Sequence, residues 1–276
     1  MGGGPEVSET IENQYSTGLS RSSIERALLD AGKDLDDLAP ADLGALEDFH
    51  TMGRFATAQL LELTAITGDS RVLDAGSGIG GTARYLADHY GCAVTAVDLT
   101  GEYCDTHRWL NRLVGLDDSI TVRQGDVTAL PLPHGSVDVV VSQHVQMNVA
   151  DKARLYGEAR RVLTPGGRLA LWDLTIDDGR ALDFPLPWAD VPARSHLVTP
   201  DELRTLVTSA GFAVQHWDDL TETASSIMQA LLAQPPQPLG LHAFVTDFVR
   251  KAENLTRALA DGRLRAIQGV AHAIGP

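Results

Sequence analysis

Residues 71–98, RVLDAGSGIGGTARYLADHYGCAVTAVD, join two short apolar runs through a glycine-rich loop and an amphipathic stretch. RVLDAG (71–76) and AVTAVD (93–98) are predicted strands, with a predicted helix, GTARYLADHY (81–90), between them. Gly76, Gly78 and Gly81 place G-x-G-x-x-G at the strand-to-helix turn. Glycines there permit a tight turn and let a ligand approach the backbone beside a helix N-terminus, the arrangement that cradles nucleotide cofactors. Asp98 closes the next strand, where a carboxylate can accept hydrogen bonds from two ribose hydroxyls.

The alternation continues downstream. Helix GEYCDTHRWLNRLVG (101–115) leads to strand SITVRQ (119–124) and a proline-marked loop. Strand VDVVVS (137–142), helix KARLYGEARRVL (152–163) and strand GRLALWDL (167–174) follow, and the near-unbroken valine run implies a strand covered on both faces. Helix PDELRTLVTSAGF (200–212), strand FAVQHWD (212–218) and a last short strand near RLRAIQGV (263–270) complete the set. The expected fold class is α/β: a mostly parallel seven-stranded sheet with helices on both faces. Upstream, residues 8–50 read as short helical pieces, with Ile24, Leu28 and Leu29 at helical spacing. Phe55, Leu60, Leu61, Leu63 and Ile66 then mark a helix that stops at Gly68. Two parts are expected, a helical N-terminal cap over 1–52 and the α/β domain over 53–276. A helical insertion before the last strand, 222–260, is broken by QPPQP (234–238) and is placed as a lid over the site.

Composition narrows the function. With 22 Lys and Arg against 37 Asp and Glu, the formal charge is −15, which repels a phosphate backbone. Nucleic acid is therefore excluded as a partner. Cys92 and Cys104 stand in no zinc or redox spacing, the start MGGGPEVSET has no signal-peptide pattern, and no apolar run reaches membrane-spanning length. A cytoplasmic location, no bound metal and no membrane partner are expected; a homodimer stays open.

At the glycine turn two cofactors remain possible, NAD and S-adenosylmethionine. Asp74 lies two residues before Gly76 and opposes a pyrophosphate placed there. S-adenosylmethionine brings an ammonium and a sulfonium instead, for which that carboxylate is favourable. Asp126, at the end of the third strand, can accept a hydrogen bond from an adenine amino group while Val127 packs on the ring.

VLDAGSGIGG (72–81), Asp98, GDVTALPLPHGSVDVV (125–140) and LTPGGRL (163–169) together resemble the class I S-adenosylmethionine-dependent methyltransferases, a Rossmann-like class, over roughly residues 48–218. Within that class, LEDFHTMGRFAT (46–57) and SQHVQMNVADKARLYGEARRVLTPGG (142–167) are similar to bacterial small-molecule members, the sarcosine/dimethylglycine or tocopherol-like methyltransferases. The resemblance implies that Gly76, Ser77 and Gly78 line the methionine part, Asp98 and Leu99 hold the ribose, and Asp126 and Val127 hold the adenine. It further implies that Ser142, Gln143 and His144 border the methionine moiety and the substrate, and that S-adenosylhomocysteine is the product. Ser77 stands where many relatives carry cysteine, and Asp98 where glutamate is common.

The reaction implied is methyl transfer to a small-molecule acceptor, an amine nitrogen or the oxygen or carbon of a natural product, by in-line displacement. His144, after the fourth strand, is the candidate base, and Asp173, at the end of the fifth, the candidate group to orient an amine or a histidine. Tyr15, His50, Met147, Asn148, Trp172, Trp188 and His196 are the expected acceptor-binding residues. Two other functions compete: an NAD-dependent oxidoreductase, which leaves Asp74 unaccounted for, and a non-catalytic cofactor-binding regulator.

Overall fold

The computed structural model describes residues 15, 16, 18–47, 49–177, 180–235 and 237–275. The first fourteen residues of the expected cap lie outside the described residues. The sheet has seven strands: β1 (Arg71–Ala75), β2 (Ala93–Asp98), β3 (Ile120–Gln124), β4 (Val137–Gln143), β5 (Leu163–Ile176), β6 (Phe212–Asp219) and β7 (Leu264–Ala273). Their order is β3-β2-β1-β4-β5-β7-β6. The first five are parallel, and β7 runs antiparallel between β5 and β6. The expected α/β sheet with helices on both faces is borne out, as a mixed sheet.

The helices are α1 (Ser20–Asp30), α2 (Gly44–Glu47), α3 (Arg54–Glu62), α4 (Gly81–Tyr85), α5 (Gly101–Leu113), α6 (Lys152–Val162), α7 (Pro200–Ser209), α8 (Thr221–Leu232) and α9 (Phe248–Ala260). Local chemistry explains several starts. Asp151 caps α6 by accepting from the Arg154 N–H, and Thr199 and Glu202 form a reciprocal capping box that opens α7.

One sheet face buries Leu60, Ala83, Leu86, Val94, Val139, Trp172 and Leu255, which brings α3, α4 and α9 against the strands. The other buries Leu73, Val140, Leu155, Tyr156, Leu203 and Val207, from α6 and α7. A third cluster, with Ile24, Leu28, Leu43, Leu46, Trp109 and Leu110, docks the N-terminal elements onto α5. Ile24 and Leu28 are fully buried, whereas Leu29 and Phe55, expected on the inner faces, are 55% and 56% exposed. Leu29 lies one residue after a buried position of its helix, Leu28, and Phe55 one residue before Ala56.

The 222–260 stretch departs from a simple lid. Ala224, Leu255, Ala258 and Leu259 sit in the sheet core, and it is Phe244, between α8 and α9, that reaches the large cavity described below.

The glycine loop holds the tightest packing. Gly80 has φ +96°, and a Cβ there would lie 2.1 Å from Nε2 of His107, a fully buried ring on α5. Gly80→Ala is expected to cost about 2 kcal/mol, lowering the melting midpoint by several degrees in a thermal scan.

Candidate functional site

The strand order reverses between β1 and β4, and the carboxyl ends of β1, β2 and β4 open there into a cavity of about 780 Å³. That is where parallel sheets leave a crevice, and the volume suits a nucleoside cofactor with a small ligand beside it.

The floor is the glycine loop. Gly76 and Gly78 have φ +78° and +53°, and the Gly76 and Ser77 N–H groups both donate to the Val97 carbonyl, at 2.8 and 3.1 Å. A Cβ at Gly76 would meet Val145 at 2.4 Å, while one at Gly78 would enter open space. Gly78 thus leaves its backbone open to a ligand. Asp98 Oδ2 accepts from the Gly78 N–H (2.8 Å) and Oδ1 from the Thr100 N–H (2.9 Å). Those bonds aim the carboxylate, and burial pushes its pKa up. Asp126 accepts from the Thr128 N–H and hydroxyl (2.7 and 2.8 Å).

Asp74, Gly76, Ser77, Gly78, Asp98, Leu99, Asp126, Val127 and Gln143 all line the cavity. Ser142 does not: it is 4% exposed and faces the layer beneath, because alternate residues of β4 point to opposite sides. With Asp74, Asp98 and Asp126 on the walls, the cavity fits a sulfonium nucleoside carrying an ammonium and disfavours a diphosphate.

His144 lines the cavity where β4 ends, with φ +55°, a conformation that costs energy in a non-glycine residue. Its surroundings hold it there. The His144 N–H donates to the Trp172 carbonyl (2.8 Å), its ring stacks on Trp172 at 6.4 Å, and Nε2 lies 3.1 Å from Thr51 Oγ1. His50 sits edge-on at 5.9 Å, and its Nε2 lies 3.1 Å from Thr57 Oγ1. Gln143 donates to Thr82 Oγ1 (2.8 Å) and Thr57 Oγ1 (3.2 Å). Burial, reinforced by His50, holds the His144 imidazole well below its usual pKa, so it is neutral at pH 7.

The expected acceptor set divides. Tyr15, His50 and Asn148 line the cavity, and the Tyr15 hydroxyl donates to Asn148 Oδ1 (3.1 Å), tying the N-terminal segment across to the loop after β4. Met147, Trp172, Trp188 and His196 are not in the lining. Met147 and Trp172 are fully buried, the latter with Nε1 donating to the Thr51 carbonyl. Trp188 is 3% exposed and donates to Ser195 Oγ (2.9 Å). The His196 backbone bonds Met147 through its N–H and Lys152 through its carbonyl. All four serve packing or loop anchoring.

Asp173 is also corrected. It alternates with Trp172 along β5 and so points to the opposite face, 1% exposed, toward the N–H groups of Gln146 and Val145. Burial raises its pKa well above the carboxylate range, and it does not reach His144.

Sequence reasoning missed Glu47, Phe49, Thr51, Thr82, Thr100, Tyr103 and Phe244. Thr100 and Tyr103 follow directly on Asp98 and were findable from the strand-to-helix pattern; the others come from cap and linker segments without a motif. Glu47 borders the cavity but is closed off, its carboxylate bonded to Arg84 (2.5 Å) and Arg54 (2.7 Å). Lys152 borders it too, its pKa lowered to about 8 by burial and its ammonium donating to the Val149 carbonyl (2.7 Å).

The chain is similar to known methyltransferases in sequence and fold. Residues 73–171 match the methyltransferase domain family. The chain is 32% identical over 176 residues to the glycine/sarcosine/dimethylglycine N-methyltransferase of Actinopolyspora halophila, covering 64% of this chain and 31% of that protein. It is 31% identical over 151 residues to the dimethylglycine N-methyltransferase of Parasynechococcus marenigrum, covering 55% and 54%. The chain thus spans a third to about half the length of these curated relatives. In fold, it matches the crystal structure of geranyl diphosphate C-methyltransferase from Streptomyces coelicolor A3(2), with a TM-score of 0.73, 19% identity and 99% of each chain covered. The resemblance to the class I S-adenosylmethionine-dependent methyltransferases is borne out.

Proposed function

We propose that this chain transfers a methyl group from S-adenosylmethionine to a small-molecule acceptor. The observation that carries the reading is the acidic cradle at the mouth of β1 and β2, where Asp74 and Asp98 flank a glycine loop with its backbone open to the cavity. In it Asp98 takes the ribose hydroxyls, Asp126 the adenine amino group with Val127 against the ring, and Asp74, directly or through water, the ammonium. When bound, the cofactor supplies an electrophilic methyl on sulfur.

The chain's own residues then position and dry the acceptor. His144, neutral and lining the cavity, takes the proton of an acceptor that must lose one. Thr51 and Trp172 fix its ring, and His50 adds a second polar edge to the same wall. Tyr15, Phe49 and His50 of the N-terminal cap (1–52) and Phe244, from the 222–260 insertion, close the cavity over the α/β domain (53–276). In the same proposal the acceptor is a metabolite rather than a nucleic acid, given the charge of −15, and the protein is cytoplasmic. A homodimer stays open. Among the described residues no helix is long and apolar enough to cross a membrane.

The test is labelled-methyl transfer to a panel of amines, phenols and quinols. His144→Gln is expected to lower kcat on a hydroxyl acceptor about a hundredfold while S-adenosylhomocysteine still binds. The pH profile carries its own signature. The unprotonated imidazole is the active form and its pKa is depressed, so kcat holds level as pH falls through about 6.5 and drops only well below it. A wild-type acid limb at or above that value would exclude His144 as the base.

A further inference from the structure

We infer that the acceptor is an uncharged phenol, bound in an aromatic chamber between the N-terminal cap and the end of β4, and not an amino acid. The inference rests on the cofactor placement above and goes beyond it to the acceptor's class.

The wall facing the glycine loop is a chain of rings. Phe49 meets Tyr15 edge-on at 6.4 Å, Tyr15 meets Tyr103 at 5.9 Å, and Tyr103 meets Phe244 edge-on at 6.5 Å. All four line the cavity, and Phe49 leads directly in sequence to His50 and so to the paired rings of His50 and His144. Such a wall receives a flat aromatic body through edge and face contacts.

Charge decides against a carboxylate. A carboxylate acceptor held in a partly closed cavity is best met by a fixed cation, or else by several converging N–H or hydroxyl donors. Among the described lining residues the lysine and arginine are Lys152 and Arg154, in the first turn of α6. That helix packs through Leu155 with Val127, at the adenine end of the cavity. Lys152 is committed to the carbonyls of Val149 and His196. Arg84, behind the aromatic wall, is occupied by Glu47, Asn111 and the Ile79 carbonyl. The residues outside the description, 1–14, 17, 48, 178, 179, 236 and 276, include no lysine, arginine or histidine. Away from the adenine end, where Arg154 lies, the fixed charges on the walls are carboxylates, among them Asp74 and Asp98, which repel an amino acid's own.

A phenol matches what remains. As its oxygen forms the new bond to the methyl carbon, the carbon–sulfur pair returns to sulfur and the hydroxyl proton passes to the His144 imidazole. One positive charge thus moves from sulfonium to imidazolium, and a neutral methyl ether leaves. The N-methyltransferases similar to this chain are named for glycine, sarcosine and dimethylglycine, so the inference separates this chain from them by substrate.

The experiment is thermal melting of the full chain saturated with S-adenosylhomocysteine, with 2-naphthol, p-cresol, sarcosine or dimethylglycine added. At least one phenol is expected to raise the midpoint by roughly 2 °C or more above the product complex, and neither amino acid should move it. Phe49→Ala should lose the phenol increment while keeping the S-adenosylhomocysteine increment, which shows that the variant is folded. With S-adenosylmethionine in its place, the aryl methyl ether should accumulate. A rise with either amino acid, no rise with either phenol, or a phenol that binds without being methylated overturns the inference alone. Absence of the S-adenosylhomocysteine increment in the wild type removes the cofactor placement, and the inference with it.

Discussion

Asp98→Ala is expected to lower the affinity for S-adenosylmethionine about a thousandfold, or about 4 kcal/mol, in isothermal titration. Two losses combine. The carboxylate is the acceptor placed for the ribose, and it is also what holds the Gly78 and Thr100 N–H groups at 2.8 and 2.9 Å. Alanine removes the ribose contact and frees the backbone of the loop that cradles the methionine part. Asp98→Asn keeps an acceptor oxygen but not the charge or the second acceptor, so its loss should fall between wild type and alanine. Gly76→Ala would weaken binding by another route, through collision with Val145. An Asp98→Ala variant that binds within tenfold of wild type would show that the ribose lies elsewhere.

The second large effect concerns stability. Arg84 on α4 is 1% exposed and donates to Glu47, Asn111 Oδ1 and the Ile79 carbonyl. One side chain therefore joins α2, α5 and the glycine loop. Arg84→Met leaves a buried carboxylate with Arg54 alone and strips two further buried acceptors, which should cost about 3–5 kcal/mol. The melting midpoint should fall by on the order of 10 °C. Arg84→Met combined with Glu47→Leu removes both charges and should recover more than half of that loss, because removal of a whole buried pair costs far less than orphaning one partner. A single variant within 1 kcal/mol of wild type would mean that α2 is not anchored through this pair.

The sheet was legible because its signals are local. A run such as Val137 to Val141 admits few structures besides a strand covered on both faces, and Gly76 and Gly78 of the G-x-G-x-x-G turn announce positive φ between a strand and a helix. The acidic lining of the cavity followed, because Asp74, Asp98 and Asp126 sit at or near strand ends, which point into the crevice whatever the rest of the chain does.

The acceptor side was less legible, for a geometric reason. Met147, Trp172, Trp188 and His196 carry the residue types of a binding wall, but their direction is set by strand alternation and loop packing that single-chain periodicity does not resolve. Trp172 and Asp173 show it best, since the choice between them turns on the pleat of β5, one residue apart. Phe49 and Phe244 reach the cavity from segments separated by nearly the whole domain, and nothing in either stretch marks it as a wall. Glu47 lies in residues 1–50, a stretch with eleven acids and three bases that gives no sign of which acid is buried, yet it is 5% exposed and held by two arginines.

The most direct measurement is a calorimetric titration of the purified chain with S-adenosylhomocysteine and, separately, with NAD. Saturable one-to-one uptake of the first and no heat from the second is the predicted outcome, since the carboxylates around the glycine loop attract the ammonium of an adenosyl amino acid and repel a diphosphate. Tight uptake of NAD with none of S-adenosylhomocysteine would contradict it.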